Sequence, residues 1–217
     1  MNFRRKNAIL EQRDGRVWTP KCEQRKESGP MVETGAVQGR FQGLHLGHME
    51  FLLEAKKRCK FLVIGVTNYD IHSKYISDTA SMNRFRSQAN PFTFFERMMM
   101  ITESMVEAGV ARDEFVVVPF PIEAPERISN FVPDDVVFFQ TIYDQWGHSK
   151  VETLQKAGYQ VQVMWERTDA DRLTSGTEVR RLMKEGGNWK ELMPKAAVRY
   201  IEQHHLEERL HTEASNQ

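Results

Sequence analysis

Cysteine is scarce in this sequence. Cys22 and Cys59 are the two in 217 residues. Their separation fits neither a metal-ligand spacing nor a disulfide framework, which points to a reducing compartment and a cytoplasmic location. Excess charge of one sign is also lacking. Lys and Arg together number 30 and Asp and Glu together number 30, so nothing in the charge favours a nucleic-acid partner. No apolar run approaches the roughly 20 residues that cross a bilayer, so no membrane partner is expected. Arg4, Arg5 and Lys6 are not followed by an apolar segment, and no secretory signal is read there. No internal repeat is visible. What remains is a chain with a 40% apolar fraction, long enough for one α/β domain with a sizeable core and some additional sequence.

Residues 1–33 are polar, lack a sustained period and read as a flexible extension, with Gly29-Pro30 as a break. Beyond them, short runs rich in Val, Ile and Phe alternate with helical patterns. Strands are expected at Thr34–Gln38, Phe61–Thr67, Glu114–Phe120, Asp135–Thr141 and Tyr159–Glu166. Helices are expected from about Leu46 to Cys59, Thr93 to Ala108, Asp144 to Ala157, Gly176 to Glu185 and Pro194 to His205. Near-continuous apolar runs such as Phe61–Thr67 suit strands buried on both faces. The fold expected is therefore α/β, a Rossmann-like doubly wound parallel sheet in one domain at 34–207, followed by a tail at 208–217. Thr93 with Glu96, and Ser175 with Glu178, each fit a capping box. The polar stretch Asn68 to Asn90 reads as a substrate-side loop.

The first junction carries the chemistry. Val37-Gln-Gly-Arg-Phe-Gln-Gly-Leu-His-Leu-Gly-His48 follows the first strand and opens the first helix. That is the carboxyl end of a strand, where ligands bind in open α/β sheets. A helix start offers free backbone N–H groups and a positive dipole end to phosphate. Gly39 and Gly47 allow a nucleotide to approach the backbone closely. His45 and His48, three apart, share a face and bring two imidazole donors to phosphate oxygens. A zinc site lacks a third ligand at a sensible spacing.

A second helix start, Thr174-Ser-Gly-Thr-Glu-Val-Arg-Arg-Leu-Met183, offers the Ser175 and Thr177 hydroxyls, backbone N–H groups around Gly176 and the guanidinium of Arg180. Taken alone it reads equally as a capped helix with surface arginines. Met98 to Met100 and Cys59 read as core, and His72, His148, His204 and His205 as solvated.

Gly39-Arg-Phe-Gln42 with His45-Leu-Gly-His48 resembles the signature of the HxGH nucleotidyltransferase superfamily, and within it the archaeal-type nicotinamide mononucleotide adenylyltransferases. Ser175 to Arg180 is similar to the family's C-terminal Ser-x-Thr-x-x-Arg motif. Asn90-Pro-Phe-Thr-Phe-Phe-Glu-Arg97 and Gly186 to Pro194 resemble further family segments, so the resemblance runs from about Thr34 to Leu206. It implies that the two motifs face each other across a triphosphate. A phosphate of the acceptor would attack the α-phosphorus, pyrophosphate would leave, and no covalent enzyme intermediate would form. His45, His48 and Arg180 are then the expected catalytic residues, with His48 on the transferred phosphate. Gly39, Arg40, Phe41, Gln42, Gly47, Ser175, Gly176 and Thr177 are the expected nucleotide contacts, and magnesium would be bound through the triphosphate. The resemblance implies transfer of AMP from ATP to nicotinamide mononucleotide, giving NAD. Cytidylyl or adenylyl transfer to another phosphate or phosphonate stays open, as does a non-catalytic nucleotide-binding regulator. An aminoacyl-tRNA synthetase is disfavoured, since the chain is short and lacks a Lys-Met-Ser-Lys loop. On the acceptor side Tyr143 and Trp146 either stack on a flat ring or cover the sheet edge. A homo-oligomer is allowed.

Overall fold

The structure, a computed structural model, describes residues 31–70 and 89–212. The N-terminal extension up to residue 30, and residues 71–88 of the expected substrate-side loop, lie outside the described residues.

Five strands, β1 (Val32–Gly39), β2 (Cys59–Val66), β3 (Phe115–Pro119), β4 (Val137–Ile142) and β5 (Gln160–Glu166), form one sheet in the order β3-β2-β1-β4-β5. All four pairings are parallel. The strand order reverses between β1 and β4. The helices are α1 (Leu46–Lys56), α2 (Phe94–Glu107), α3 (Gln145–Lys156), α4 (Gly176–Lys184), α5 (Lys195–Gln203) and α6 (Glu208–Thr212).

Alternation along the buried strands divides the core in two. Val37, Ile64 and Phe139 face Leu52 of α1, Met100 and Ile101 of α2, Val179 of α4 and Ile201 of α5. Ala36, Val63 and Phe138 face Leu154 of α3 and Ile128 in the short 3-10 helix Pro125–Asn130. Both faces are covered, which is why the strand sequences run apolar without alternation. Burying a side chain such as Leu52 or Ile64 stabilises by about 1.5–3 kcal/mol.

The expected Rossmann-like doubly wound sheet is present, with three local differences. Arg112–Glu114 coil into a 3-10 turn, so β3 starts at Phe115. The expected tail is instead helical at α6, where Leu210 is buried and Arg209 pairs with Glu96 at 2.7 Å. The capping box at α2 has both of its bonds, Glu96 N to Thr93 Oγ1 at 3.3 Å and Thr93 N to Glu96 Oε2 at 2.9 Å. At α4 only half of the box exists. Ser175 accepts from Glu178 N, but the Glu178 carboxylate pairs with Arg181 at 2.8 Å. Cys59 is buried, and burial raises its thiol to about 11.

Candidate functional site

His45 is the N-cap of α1 and His48 is its third residue. The rings stack, with centroids 3.6 Å apart and planes 23° apart. Each caps the other's backbone. His48 N donates to His45 Nδ1 at 3.3 Å, and His45 N donates to His48 Nδ1 at 3.4 Å. A ring nitrogen that accepts a hydrogen bond carries no proton, so each neutral imidazole keeps its hydrogen on Nε2. The cap thus fixes the tautomer and leaves one donor on each ring. Gly47 makes the stack possible, since a Cβ there would lie 3.2 Å from both Cε1 and Nδ1 of His45.

The rest of the loop holds this pair in place. Phe41 adopts a left-handed backbone (φ 50°) and packs edge-on to His48 at 5.0 Å. Its ring occupies the space over Gly39, where a Cβ would come within 2.9 Å of it. Gln42, read from sequence as a nucleotide contact, directs its amide to Phe92. Its Nε2 donates to Phe92 O at 2.9 Å and its Oε1 accepts from Phe92 N at 3.1 Å.

Arg97, which closes the family-like segment from Asn90 and had no role assigned from sequence, is 0% exposed. Its guanidinium donates to the carbonyls of Arg40 (2.8 Å), Thr67 (2.8 Å), Asn68 (2.7 Å) and Thr93 (3.2 Å). One side chain on α2 thereby ties the loop after β1 to the end of β2. Burial, then the nearby Arg40, lowers it to about 10, so it stays charged near neutrality.

The second motif meets the first directly. Arg180 Nη1 donates to Gln42 O at 2.8 Å, and its Nη2 to Thr177 Oγ1 at 3.3 Å. A Cβ on Gly176 would be 2.6 Å from Gln42 O, so the start of α4 lies flush against the loop. Ser175 spends its hydroxyl as the α4 cap, and Thr177 is exposed.

Four cations from four different segments act on the histidines. Burial, then Arg172 and Arg180, lower His45 to about 3. Burial, then His45, Arg40, Arg180 and Lys150, hold His48 well below its ordinary value. Lys150 and Arg172 carried no sequence signal. Neutral imidazoles within a cationic field suit a polyanion: they donate through Nε2–H without needing a second proton, and the field supplies the charge. Among the described residues, no group of three or more His, Cys, Asp or Glu comes together as a metal site.

On the β4–β5 side the aromatics are already engaged. The Arg172 guanidinium lies 4.6 Å over the Tyr143 ring and ion-pairs with Asp144 at 3.6 Å. Tyr143 Oη accepts from Trp165 Nε1 at 3.3 Å. Arg167 lies over Trp165 at 4.6 Å and reaches both Glu50 oxygens at 3.2 Å, which joins β5 to α1. Trp146 is 41% exposed at the start of α3.

Two glutamines stand at the reversal of strand order. Gln38 is the next-to-last residue of β1, at 4% exposure, and Gln140 lies in β4 at 1%. Neither Nε2 has a hydrogen-bond partner among the described residues. A buried donor left in this way costs roughly 1–3 kcal/mol.

The chain is similar to several known proteins. Residues 36–182 match the cytidylyltransferase-like family. The chain is 41% identical over 177 residues to a phosphonoformate cytidylyltransferase of Streptomyces viridochromogenes, covering 82% of this chain and 95% of that one. It is 30% identical over 190 residues to a nicotinamide-nucleotide adenylyltransferase of Thermococcus kodakarensis, covering 86% and 91%. A crystal structure of a bifunctional NMN adenylyltransferase/ADP ribose pyrophosphatase from Francisella tularensis shares the fold, with a TM-score of 0.60 at 15% identity. That match covers 85% of this chain and 53% of the longer protein. No helix among the described residues is long and apolar enough to cross a membrane. With a family match spanning both phosphate motifs, and those motifs in direct contact, the chain belongs to the cytidylyltransferase-like family and is a nucleotidyltransferase related to the archaeal nicotinamide-nucleotide enzymes.

Proposed function

We propose that the chain transfers CMP from CTP to a small phosphonate such as phosphonoformate. The observation that carries this reading is the charge layout of the site. Arg40, Lys150, Arg172 and Arg180 bear on the histidine pair, and the Tyr143 face that could have taken a flat ring is covered by Arg172. Such a surface favours a compact, multiply charged acceptor over a nicotinamide ribotide. The 41% identity to the Streptomyces enzyme supports both the donor and the acceptor class. This prefers one of the alternatives left open by the sequence over NAD synthesis, which the relatives near 30% identity favour.

On this reading a phosphonate oxygen attacks the α-phosphorus of CTP. A new P–O–P bridge forms, the bond from the α-phosphorus to the α–β bridging oxygen breaks, and its electrons leave with pyrophosphate. The histidine Nε2–H groups donate to α-phosphate oxygens, where charge builds. Arg40 and Arg180, with the start of α4, hold the β- and γ-phosphates and orient the leaving group. Arg40 and Arg180 offer no ligand to magnesium, so the ion would be held through the triphosphate that these residues bind, and it would supply charge neutralisation to the leaving pyrophosphate. The test is pyrophosphate release with CTP, ATP, GTP and UTP against phosphonoformate, nicotinamide mononucleotide and inorganic phosphate. CTP with phosphonoformate should be fastest by at least tenfold. NAD formation from ATP at the higher rate overturns the reading.

A further inference from the structure

Gln38 and Gln140 have no place in the phosphate chemistry above, yet they lie beside it. The β1–β4 register pairs Gly35 with Val137 and Ala36 with Phe138. Continued by two residues, it brings Gln38 next to Gln140. Both belong to the α3 face, because their neighbours at i−2, Ala36 and Phe138, pack in the core on that side. Gln38 is paired with Gly65 of β2, where a Cβ would come within 2.7 Å of the Phe120 ring. Phe120 in turn meets Phe138 edge-on at 5.7 Å. Phe120 and Phe138 thus lie on the sheet face that carries both glutamines.

Apolar residues would serve this strand end better if packing were the only demand. Two adjacent strands carrying unsatisfied donors where the strand order reverses, at the carboxyl ends of a parallel sheet, mark a place kept for a ligand. The opposite wall supports an anion. On α3, Gly147, Lys150 and Leu154 form one stripe at helical spacing; Gly147 and Leu154 are buried against the sheet, and Lys150 sits between them, close enough to act on His48.

We propose that the Gln38 and Gln140 amides form the floor of the acceptor site and donate hydrogen bonds to the carboxylate oxygens of a carboxylated phosphonate. This rests on the small-phosphonate reading given above. The phosphonate end then lies toward His48 and the transferred phosphorus, and Lys150 offsets the summed negative charge.

Gln38→Met and Gln140→Met keep the side-chain length and remove the donors. Steady-state kinetics of the full chain with CTP and phosphonoformate should show acceptor kcat/KM falling tenfold or more for each, with KM for CTP unchanged. With methylphosphonate, which lacks the carboxylate, variant and wild type should differ by less than twofold. The thermal midpoint should hold or rise, because a buried unpaired donor is removed. Wild-type kcat/KM for phosphonoformate in both variants overturns the inference and leaves the reading of the reaction standing. A lowered midpoint with an equal loss on both acceptors also overturns it, since the amides would then serve packing. If wild type transfers nothing to any phosphonate, the reading and the inference fall together.

Discussion

Gly47→Ala separates the stability of α1 from its chemistry. The added Cβ would sit 3.2 Å from two atoms of the His45 ring, so the ring must give by a few tenths of an ångström. The hydrogen bond most exposed to that shift is His48 N to His45 Nδ1, already long at 3.3 Å. Weakening such a cap costs about 0.5–1 kcal/mol. Alanine in place of glycine in a helix returns up to about 1 kcal/mol. The two nearly cancel, and net stability should stay within about 1 kcal/mol of wild type. Activity has no such compensation. A displacement of about 1 Å at a reacting centre costs about a hundredfold, so a fraction of that should lower kcat roughly tenfold. The assay is pyrophosphate release alongside urea unfolding in one buffer. Undiminished kcat would refute the claim that the stacked rings place the donors. A stability loss above about 2 kcal/mol would mean that Gly47 serves packing instead.

Two further outcomes follow from buried charge. His45 is depressed from 6.5 to about 3 and His48 also lies well below 6.5, so well above 6.5 both rings are neutral in the folded and the unfolded chain. Below 6.5 the unfolded chain protonates these rings first. Stability should therefore fall between pH 6.5 and about 3, by up to about 1.4 kcal/mol per pH unit for each histidine. Urea unfolding at pH 7, 6, 5 and 4 should show this slope, and a double His→Asn variant, which keeps the caps, should flatten it. A slope unchanged in that variant would put the titration elsewhere. Arg97→Met should cost roughly 3–5 kcal/mol, since it strips donors from four carbonyls. Arg97→Lys should recover little, because one ammonium cannot span them. A denaturant midpoint within about 1 kcal/mol of wild type would contradict the clamp.

The strands were legible because a sheet buried on both faces writes unbroken apolar runs, as in Phe61–Val66. The histidine pair was legible because its requirements are local, a helix start and two histidines one turn apart, whereas the glycines expected to admit a nucleotide instead make room for the Phe41 and His45 rings. What escaped was long-range. Arg97, in the middle of a helical pattern, looks like any solvated cation, and only folding brings Thr67 and Arg40 to it. Lys150 and Arg172 act from segments more than a hundred residues beyond His48. At Ser175 the spacing for a reciprocal cap was right, but Glu178 had a better partner one turn on in Arg181. The five-residue α6 is too short to write a period. Gln38 and Gln140 did leave a trace, each a polar residue inside an apolar strand, which phosphate motifs alone gave no reason to read.

The mutual capping of His45 and His48 bears on how this sequence can drift. Serine or aspartate at position 45 would start the helix as well as the imidazole does. The fold therefore sets no barrier against losing that histidine. A descendant relieved of selection for turnover could exchange it in one step and still fold, although aspartate would set a negative charge where phosphate belongs. If the proposed role holds, retention of His45 in a lineage would be a record of catalysis under selection, independent of the demands of folding.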